Sequence, residues 1–340
     1  MLNFNCDYSE GAHPRIIEAL VKTNTEQTVG YGNDAYCDEA KRRIRSAIGN
    51  EELDVELFVG GTQVNLTAIC GLLRSYEGVV APVTGHIAVH EGGAIEATGH
   101  KVITLPERDG KLVPDMLKSY FEGFYADSTH DFMPRPGLVY LSHPTEYGTL
   151  YTKSELTAIS KIAHEFGAML YLDGARLGYA LATPENELSL SDIADLCDAF
   201  YIGGTKCGAL FGEALVMKKG IIPHFTVTMK QKGAILAKGR LLGIQFCELF
   251  DGNTYVDICK TAIASARRIR EALIERGYEL LVDSPTNQIF PIVSADKFYS
   301  LSRDVVFSVW EPLSDDRYAI RFVTSFMTCP EQVDELIALL

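Results

Sequence analysis

The feature that most constrains the fold is the alternation of short apolar runs with amphipathic segments of helical period. The apolar runs predict strands at Leu57–Val59, Gly78–Ala81, Lys101–Leu105, Leu138–Ser142, Ala168–Leu172, Ala199–Ile202 and Ala214–Met217. The segments between several of them predict helices at Gln63–Ser75, Pro114–Tyr125, Lys153–Phe166 and Ser191–Leu196. This order is typical of an α/β fold whose mostly parallel sheet is covered by helices on both faces.

Beyond residue 217 the pattern changes and predicts a second, smaller α/β unit. The chain reads as mainly helical from about Ile221 to Gly252, and a long helix follows at Val256–Arg276. Strands are then predicted at Glu279–Val282, Gln288–Val293, Val305–Trp310 and Tyr318–Val323, before a last helix from Pro330. We therefore expect a large domain over residues 1–245, including the N-terminal segment, and a small domain over residues 246–340.

Charge and cysteine content argue against several classes of partner. The chain has 31 basic and 45 acidic residues, a formal net charge of −14 and no basic run, so we expect neither nucleic acid nor a membrane surface as a partner. No apolar run reaches the roughly 18 residues of a membrane span, and the N-terminus does not read as a secretory signal. The eight cysteines are scattered, which favours reduced thiols in the cytoplasm and no metal site.

Two predicted strands end beside residues that carry chemistry. One leads directly into Asp173, and the next leads through two glycines to Lys206. Ligands of open α/β sheets bind beyond the carboxyl ends of the strands, so the two side chains are expected to meet. A carboxylate keeps a pyridinium ring charged and a desolvated lysine amine is a nucleophile, which together indicate pyridoxal 5′-phosphate (PLP). Taken singly, Asp173 is more simply explained as a turn cap and Lys206 as a surface residue, and the pair is what favours the cofactor site.

Three further segments supply groups that such a cofactor and its substrate need. Gly60–Thr62 opens a predicted helix, which makes it either a phosphate cradle or an ordinary strand–helix turn. His86 follows another strand, where it could stack on a flat ring, transfer a proton or be structural. Arg321 lies within an apolar strand pattern, so it needs a partner if it is buried, either a substrate carboxylate or an internal one.

These segments, in this order, resemble the threonine aldolase / β-eliminating lyase group of fold-type-I PLP enzymes. The resemblance is strongest to its phenylserine-aldolase-like and low-specificity L-threonine aldolase branch, and it extends from about Asn5 to Cys329. The pieces that carry it are Tyr31-Gly32, Gly60-Gly-Thr62, Gly85-His86, Thr145-Glu146, Asp173-Gly-Ala-Arg176, Thr205-Lys206 and Arg321-Phe-Val-Thr-Ser-Phe. It implies the PLP-dependent transferase-like fold, with a large cofactor-binding domain and a small C-terminal α/β domain.

The resemblance also implies a role for each matching residue in binding the cofactor. Lys206 forms the Schiff base, Asp173 pairs with the pyridine nitrogen, and His86 stacks on the ring. Gly61 and Thr62 hold the phosphate.

Other matching residues are implied to bind the substrate or to act across subunits. Arg176, beside the cofactor, and Arg321 bind the substrate carboxylate. Lys232 and Arg240 reach the cofactor phosphate of a neighbouring subunit, and Tyr31 approaches a neighbour's substrate site. The implied assembly is a homo-oligomer, a dimer or a tetramer, with shared sites.

The chain departs from the family pattern at four positions. Gly60 and Thr205 stand where serine is common, and Cys6 replaces an N-terminal serine that assists carboxylate binding. Glu146 stands where many threonine aldolases have a histidine that handles the β-hydroxyl proton. The general base is therefore open between His86 and Glu146, acting directly or through water.

The implied reaction is cleavage of L-threonine, L-allo-threonine or a related β-hydroxy-α-amino acid to glycine and an aldehyde. The same scaffold also allows β-elimination or transamination of another small amino acid, because the fold does not determine which bond of the substrate breaks. A non-catalytic PLP-binding assembly protein is a third reading.

Overall fold

The computed structural model describes residues 1–313 and 316–340. The strands are β1 (Leu2–Asn3), β2 (Asp54–Phe58), β3 (Glu77–Pro82), β4 (Val102–Leu105), β5 (Arg135–Ser142), β6 (Met169–Asp173), β7 (Ala199–Gly203), β8 (Glu213–Met217), β9 (Gln288–Ile289), β10 (Ile292–Ser294), β11 (Val305–Val306), β12 (Ser308–Pro312) and β13 (Arg317–Val323). The α-helices are α1 (Pro14–Thr23), α2 (Ala35–Ile48), α3 (Gly61–Leu72), α4 (His86–Val89), α5 (Pro114–Ala126), α6 (Lys153–Glu165), α7 (Leu177–Ala182), α8 (Leu190–Leu196), α9 (Phe225–Gln231), α10 (Arg240–Leu249), α11 (Thr254–Glu275), α12 (Ala295–Leu301) and α13 (Pro330–Leu339). Within this described part of the chain, no helix is long and apolar enough to cross a lipid bilayer.

Seven of the described strands form the central sheet, in the order β2-β8-β7-β6-β5-β3-β4. Neighbours among β4, β3, β5, β6 and β7 pair in parallel, whereas β8 pairs antiparallel with both β7 and β2. Strand β8 therefore begins at the edge of the sheet where β2 and β7 end. This mixed, mostly parallel sheet confirms the predicted α/β architecture.

Side chains alternate across the sheet, so each face carries a hydrophobic core. On β5, Val139 and Leu141 lie in one core, while Leu138 and Tyr140 lie in the other. Helices α2, α6, α8 and α11 contribute to the first core, and α3 and α9 contribute to the second. Burial of both faces explains why the parallel strands are apolar along their length instead of alternating with polar residues.

A smaller sheet lies in the C-terminal part of the chain, as predicted, and its strands pair antiparallel. Its strands have the order β10-β13-β12, and β9 also pairs with β13. Helices α11 and α13 contribute to its core, and the N-terminal strand β1 joins this part by pairing with β11. The predicted division after residue 245 falls inside α10, and it stays a prediction.

One predicted strand is wrong and two others are divided. Residues 279–282 make only a bridge between Leu280 and Pro291, because proline has no backbone N–H with which to continue a ladder. The same proline separates β9 from β10 within the predicted strand Gln288–Val293, and Val305–Trp310 divides into β11 and β12. The remaining predicted strands are present, with ends that shift by a few residues.

Candidate active site

The carboxyl ends of the parallel strands surround two adjoining cavities. The inner cavity has a volume of about 320 Å³, and its lining includes Gly60, Gly61, Thr62, His86, Glu146, Asp173, Arg176, Lys206 and Glu213. The outer cavity has a volume of about 630 Å³, and its lining includes His86, His90, Glu146, Arg176, Lys206, Trp310, Glu311 and Arg321. Predicted residues from six separate segments of the sequence therefore lie together.

Asp173, the last residue of β6, is a buried acid that stays ionised. Its Oδ2 accepts hydrogen bonds from the Tyr140 hydroxyl at 2.7 Å and from Nδ2 of Asn65 at 3.0 Å. Burial by itself raises the pKa of Asp173, but the nearby His86 and these hydrogen bonds outweigh burial, and the pKa lies below its usual value. Such a carboxylate is suited to hold a ring nitrogen in its protonated form.

Lys206 lies three residues beyond the end of β7, in a tight turn. The backbone N–H groups of Gly204 and Thr205 both donate to the carbonyl of Gly212, at 2.9 and 3.0 Å, which fixes the turn. Loss of water contact and then the Arg176 guanidinium lower the pKa of Lys206. A larger share of this lysine is therefore present as the nucleophilic amine than in an exposed lysine.

His86, at the start of α4, is fixed by a chain of polar contacts that ends at Asp173. Its Nδ1 lies 2.8 Å from Oε1 of Glu91, and that oxygen also accepts from Asn65 at 2.7 Å. Asn65 thus bridges Glu91 and Asp173. Burial lowers the pKa of His86, but Glu91 and Asp173 outweigh it and the pKa is raised.

Glu146 lies four residues beyond β5 and faces both cavities. Its Oε1 accepts from the Ser142 hydroxyl at 2.7 Å and from the backbone N–H of His86 at 2.8 Å. Its Oε2 is buried and has no hydrogen-bond partner among the described residues. Burial raises the pKa of Glu146, so this carboxyl is well placed to exchange a proton with a bound molecule.

The turn from Gly60 to Thr62, called the glycine turn below, joins β2 to α3. Helix α3 begins at Gly61, so the N–H groups of its first turn have no partners within the helix. A Cβ atom on Gly61 would lie only 2.9 Å from the Tyr201 hydroxyl, whereas one on Gly60 would meet nothing within 4 Å. The free N–H groups and the Thr62 hydroxyl together have the chemistry of an anion site.

Arg176 lines both cavities and is paired within the chain. Its Nε and Nη2 donate to the two oxygens of Asp7 at 2.7 and 3.0 Å, and Asn287 donates to Asp7 at 2.9 Å. Burial raises the pKa of Asp7, but Arg176 and Lys206 outweigh it, so the pKa is lowered. This bidentate pair ties the N-terminal segment to the wall of the site.

Arg321 projects from β13 into the outer cavity. Its Nη1 donates to Gln288 at 3.1 Å and its Nη2 to Ser308 at 3.2 Å, and its guanidinium lies 5.2 Å from the centre of the Trp310 ring. Its Nε is buried without a partner, and no described carboxylate pairs with it. Burial and then the positive charge of Arg176 lower the pKa of Arg321 to about 10.

Four of the predicted site residues lie outside the lining of both cavities of their own chain. Cys6 contacts a neighbouring serine hydroxyl at 3.1 Å. Tyr31 is exposed, and Lys232 lies at the end of α9. Arg240 donates to backbone carbonyls at and just after the end of α1. Their roles stay predictions.

Four residues that shape the site were not predicted from the sequence. Asp7, Tyr140 and Glu213 carried no local signal, because each reaches the cavity only through tertiary packing. Asn65 had a weak one, since it lies one helical turn after Thr62 and so shares its face of α3.

The chain has clear relatives among known proteins. It matches the β-eliminating lyase family over residues 4–294. The structure of Leishmania major threonine aldolase is 41% identical, with a TM-score of 0.96, and the match covers 100% of this chain and 98% of that chain. The low specificity L-threonine aldolase of Pseudomonas sp. is 29% identical over 297 residues, which is 84% of this chain and 83% of the relative. Sphingomonas wittichii serine palmitoyltransferase is 14% identical, with a TM-score of 0.74 over 99% of this chain and 85% of that one.

These relatives confirm the resemblance that the ordered motifs predicted. The serine palmitoyltransferase shows the fold alone, and it confirms the fold-type-I architecture of PLP enzymes. The family match covers most of the chain, and the threonine aldolase structure covers all of it. The chain belongs to the β-eliminating lyase family.

Proposed function

We propose that this chain is a PLP-dependent aldehyde-lyase that cleaves L-threonine, L-allo-threonine or a related β-hydroxy-α-amino acid to glycine and an aldehyde. The observation that carries the proposal is the meeting of Lys206 and Asp173 in one cavity, with the glycine turn beside them and Arg321 in the adjoining cavity. The relatives named as threonine aldolases support the same reaction.

The residues of the inner cavity fit PLP. When bound, PLP supplies an aldehyde that condenses with amines and a charged ring that withdraws electrons from the bonds to Cα. Lys206 would hold the aldehyde, because its lowered pKa leaves the amine free to attack. Asp173 would pair with the ring nitrogen and His86 would pack on the ring. Gly61 and Thr62 would hold the phosphate.

Two arginines would bind the substrate carboxylate. Asp7 occupies Nε and Nη2 of Arg176, which leaves Nη1 outside that contact. Arg321 offers a buried Nε without a partner. A carboxylate held between the two guanidinium groups restricts rotation about Cα, so that the Cα–Cβ bond is the one aligned for cleavage. Cys6 would contact the same carboxylate.

Glu146 is the base that we assign to the β-hydroxyl group. Its unpartnered Oε2 accepts the hydroxyl proton as the Cα–Cβ bond breaks, the electron pair stays with Cα, and the aldehyde leaves. The raised pKa of Glu146 makes its carboxylate a stronger base than an exposed one. His86 is the second candidate, although Glu91 already holds its Nδ1 at 2.8 Å.

We also propose that the active form is a homo-oligomer whose subunits share sites. Among the described residues, the lysines and arginines that line the inner cavity are Lys206 and Arg176, and Arg176 is paired with Asp7. A phosphate with nearly two negative charges needs further cations. Lys232 and Arg240 of a neighbouring subunit would supply them, and Tyr31 would approach the neighbour's substrate.

Product analysis tests the reaction. Purified protein with PLP is incubated with L-threonine, L-allo-threonine and L-phenylserine, and glycine, aldehyde and keto acid are measured. We expect glycine and aldehyde in equal amounts from at least one of the three, and none from Lys206→Ala. Keto acid without glycine indicates β-elimination or transamination instead, and no product from any substrate contradicts the proposal.

A further inference from the structure

Glu213 is a buried carboxyl at the point where two parts of the site meet, the Lys206 turn and the glycine turn. It is the first residue of β8, and it lies opposite Gly203 of β7 on one side and Phe58 of β2 on the other. Strand β7 leads from there to Lys206, and β2 leads to the glycine turn. The residue is 4% exposed, and it lines the inner cavity.

Glu213 is held from the side of the Lys206 turn. Its Oε2 accepts the backbone N–H of Gly204 at 2.9 Å. The N–H of Gly212 donates to the Thr205 hydroxyl at 3.0 Å, so that hydroxyl is free to donate to Glu213. The apolar side chains of Leu242 and Phe246, both in α10, pack against the same turn, since a Cβ atom on Gly212 would lie 2.7 Å from Leu242 and 3.4 Å from Phe246.

A phosphate in the glycine turn would therefore share its cavity with this carboxyl. PLP carries a phosphate that is mainly a dianion at neutral pH, because its second pKa is about 6. An ionised Glu213 in the same cavity would repel it, since like charges repel at short range. A protonated Glu213 would instead offer an O–H donor, and charge-assisted hydrogen bonds to phosphate are among the stronger ones.

We infer that Glu213 takes part in binding the cofactor phosphate as a neutral carboxylic acid that donates its proton in a hydrogen bond, so that PLP affinity depends on the protonation of this residue. The inference rests on the proposal that the inner cavity holds PLP. It assigns to Glu213 a contact with the cofactor that neither the sequence motifs nor the family resemblance implied.

The electrostatics of the cavity agree with this assignment. Burial raises the pKa of Glu213 to about 8, against hydrogen bonds from Thr205 and Gly204 that lower it. The charged groups that face it are Lys206, which lowers its pKa, and Asp173, which raises it. The buried hydroxyls nearby stay neutral, because their own pKa values are raised well above 10: Tyr171, Tyr201 and Tyr255.

The test measures how much the phosphate group adds to affinity. Equilibrium dialysis of the full-length protein gives the Kd for PLP and the Kd for pyridoxal, which lacks the phosphate, between pH 7 and pH 9.5. Both ligands react with Lys206, so its titration cancels in the ratio of the two Kd values. The PLP advantage is the Kd of pyridoxal divided by the Kd of PLP. We expect it to fall with rising pH, because a proton must be bound together with the phosphate. At pH 9.5 it should be about 30-fold lower than at pH 7.

Variants separate a neutral acid from an anion. Glu213→Gln keeps a neutral hydrogen-bond donor, so its PLP advantage should equal that of the wild type at pH 7 and stay constant up to pH 9.5. The PLP advantage of Glu213→Ala at pH 7 should be about tenfold smaller than that of the wild type, which is the typical contribution of one such hydrogen bond. Glu77→Gln is the matched control, because Glu77 is also a buried first residue of a strand but lies at the opposite edge of the sheet; its ratio should follow the wild type.

Three outcomes contradict the inference. A wild-type ratio that does not change with pH shows that no proton accompanies the phosphate. A loss in Glu213→Gln at pH 7 as large as that in Glu213→Ala shows that Glu213 acts as an anion, paired with a cation. Failure of the wild type to bind PLP at any pH overturns the proposed function together with this inference.

Discussion

Asp7, Arg176 and Lys206 form a group of charges in which each alters the others. Removal from water and then Arg176 lower the pKa of Lys206, while Asp7 raises it. Asp7 also holds two nitrogens of Arg176. A change at Asp7 therefore affects both the amine that would hold the cofactor and the guanidinium that would bind the substrate.

Replacing Asp7 with Asn keeps its shape and removes its charge. Breaking a buried ion pair from one side costs about 3–5 kcal/mol, so we expect the free energy of unfolding in urea to fall by that amount. We also expect KM to rise, because Arg176 loses its fixed orientation. The matched control is Asp251→Asn, which breaks an exposed pair with Arg15 and should leave stability unchanged. Equal effects in the two variants would contradict the argument.

Glu146→Gln tests whether Glu146 is the base for the β-hydroxyl group. The amide oxygen still accepts from Ser142 and from the backbone of His86, but it cannot take a proton. We expect kcat for glycine release to fall by about 100- to 10,000-fold while PLP absorbance is retained. Glu311→Gln is the matched control, because it makes the same change to a carboxylate on the wall of the outer cavity. Its kcat should stay close to that of the wild type.

The pH profile gives an independent reading of Glu146. The pKa of Glu146 is raised and the ionised form is the base, so kcat of the wild type should rise as the pH passes upward through that pKa. Glu146→Gln should lack this rise. If Glu146→Gln shows the same rise of kcat with pH as the wild type, the base is another group, and His86 is then the first candidate.

At the scale of single elements, strand ends explain what the sequence made predictable. Asp173, Lys206 and the glycine turn each follow an apolar strand, and parallel strands bring their carboxyl ends to one edge. Their meeting could therefore be predicted from the pattern alone. Glu213 could not, because it begins the strand that runs the other way, and its direction is set by pairing with β2 and β7.

The turn that follows Asp173 also requires the backbone at Gly174 to lie close to strand β7. A Cβ atom on Gly174 would lie 2.0 Å from the carbonyl oxygen of Tyr201 in the neighbouring strand. We expect Gly174→Ala to lower the free energy of unfolding by about 1–3 kcal/mol or more, since strands β6 and β7 must separate. Thermal unfolding measures the change.

Gly60→Ala is the control for that prediction. Gly60 has an extended backbone, which any residue adopts, and a Cβ there meets nothing within 4 Å. Its stability should change by no more than about 0.5 kcal/mol. Equal destabilisation by both alanines would show that the backbone approach at Gly174 is not what matters.

For the whole molecule, the fold class was predictable and the full site was not. The alternation of strands and helices indicated the layered sheet, and ordered motifs indicated the family. Asp7 could not be predicted, because the N-terminal segment reaches the site only after β1 pairs with β11, far along the chain. The wrong strand at residues 279–282 has a similar cause, since its missing partner bond depends on Pro291.

Mixing two inactive variants tests whether subunits share sites. Lys206→Ala removes the amine of a subunit's own site, and Lys232→Glu disturbs only the neighbour's site if the proposal holds. A mixed dimer then contains one native site, so random reassociation should restore about a quarter of wild-type activity. A mixture of Lys206→Ala with Lys206→Met should stay inactive. Activity of the first mixture no greater than the sum of its parents would contradict shared sites.

The central claim is that Lys206 holds the cofactor, and borohydride reduction of the protein with bound PLP tests it most directly. Reduction fixes the cofactor to the amine that carries it, and peptide mass mapping then identifies that lysine. We predict one pyridoxyl group per chain, on the peptide that contains Thr205 and Lys206, and no fixed cofactor in Lys206→Ala. A pyridoxyl group on another lysine, or an equal amount in Lys206→Ala, would contradict the account.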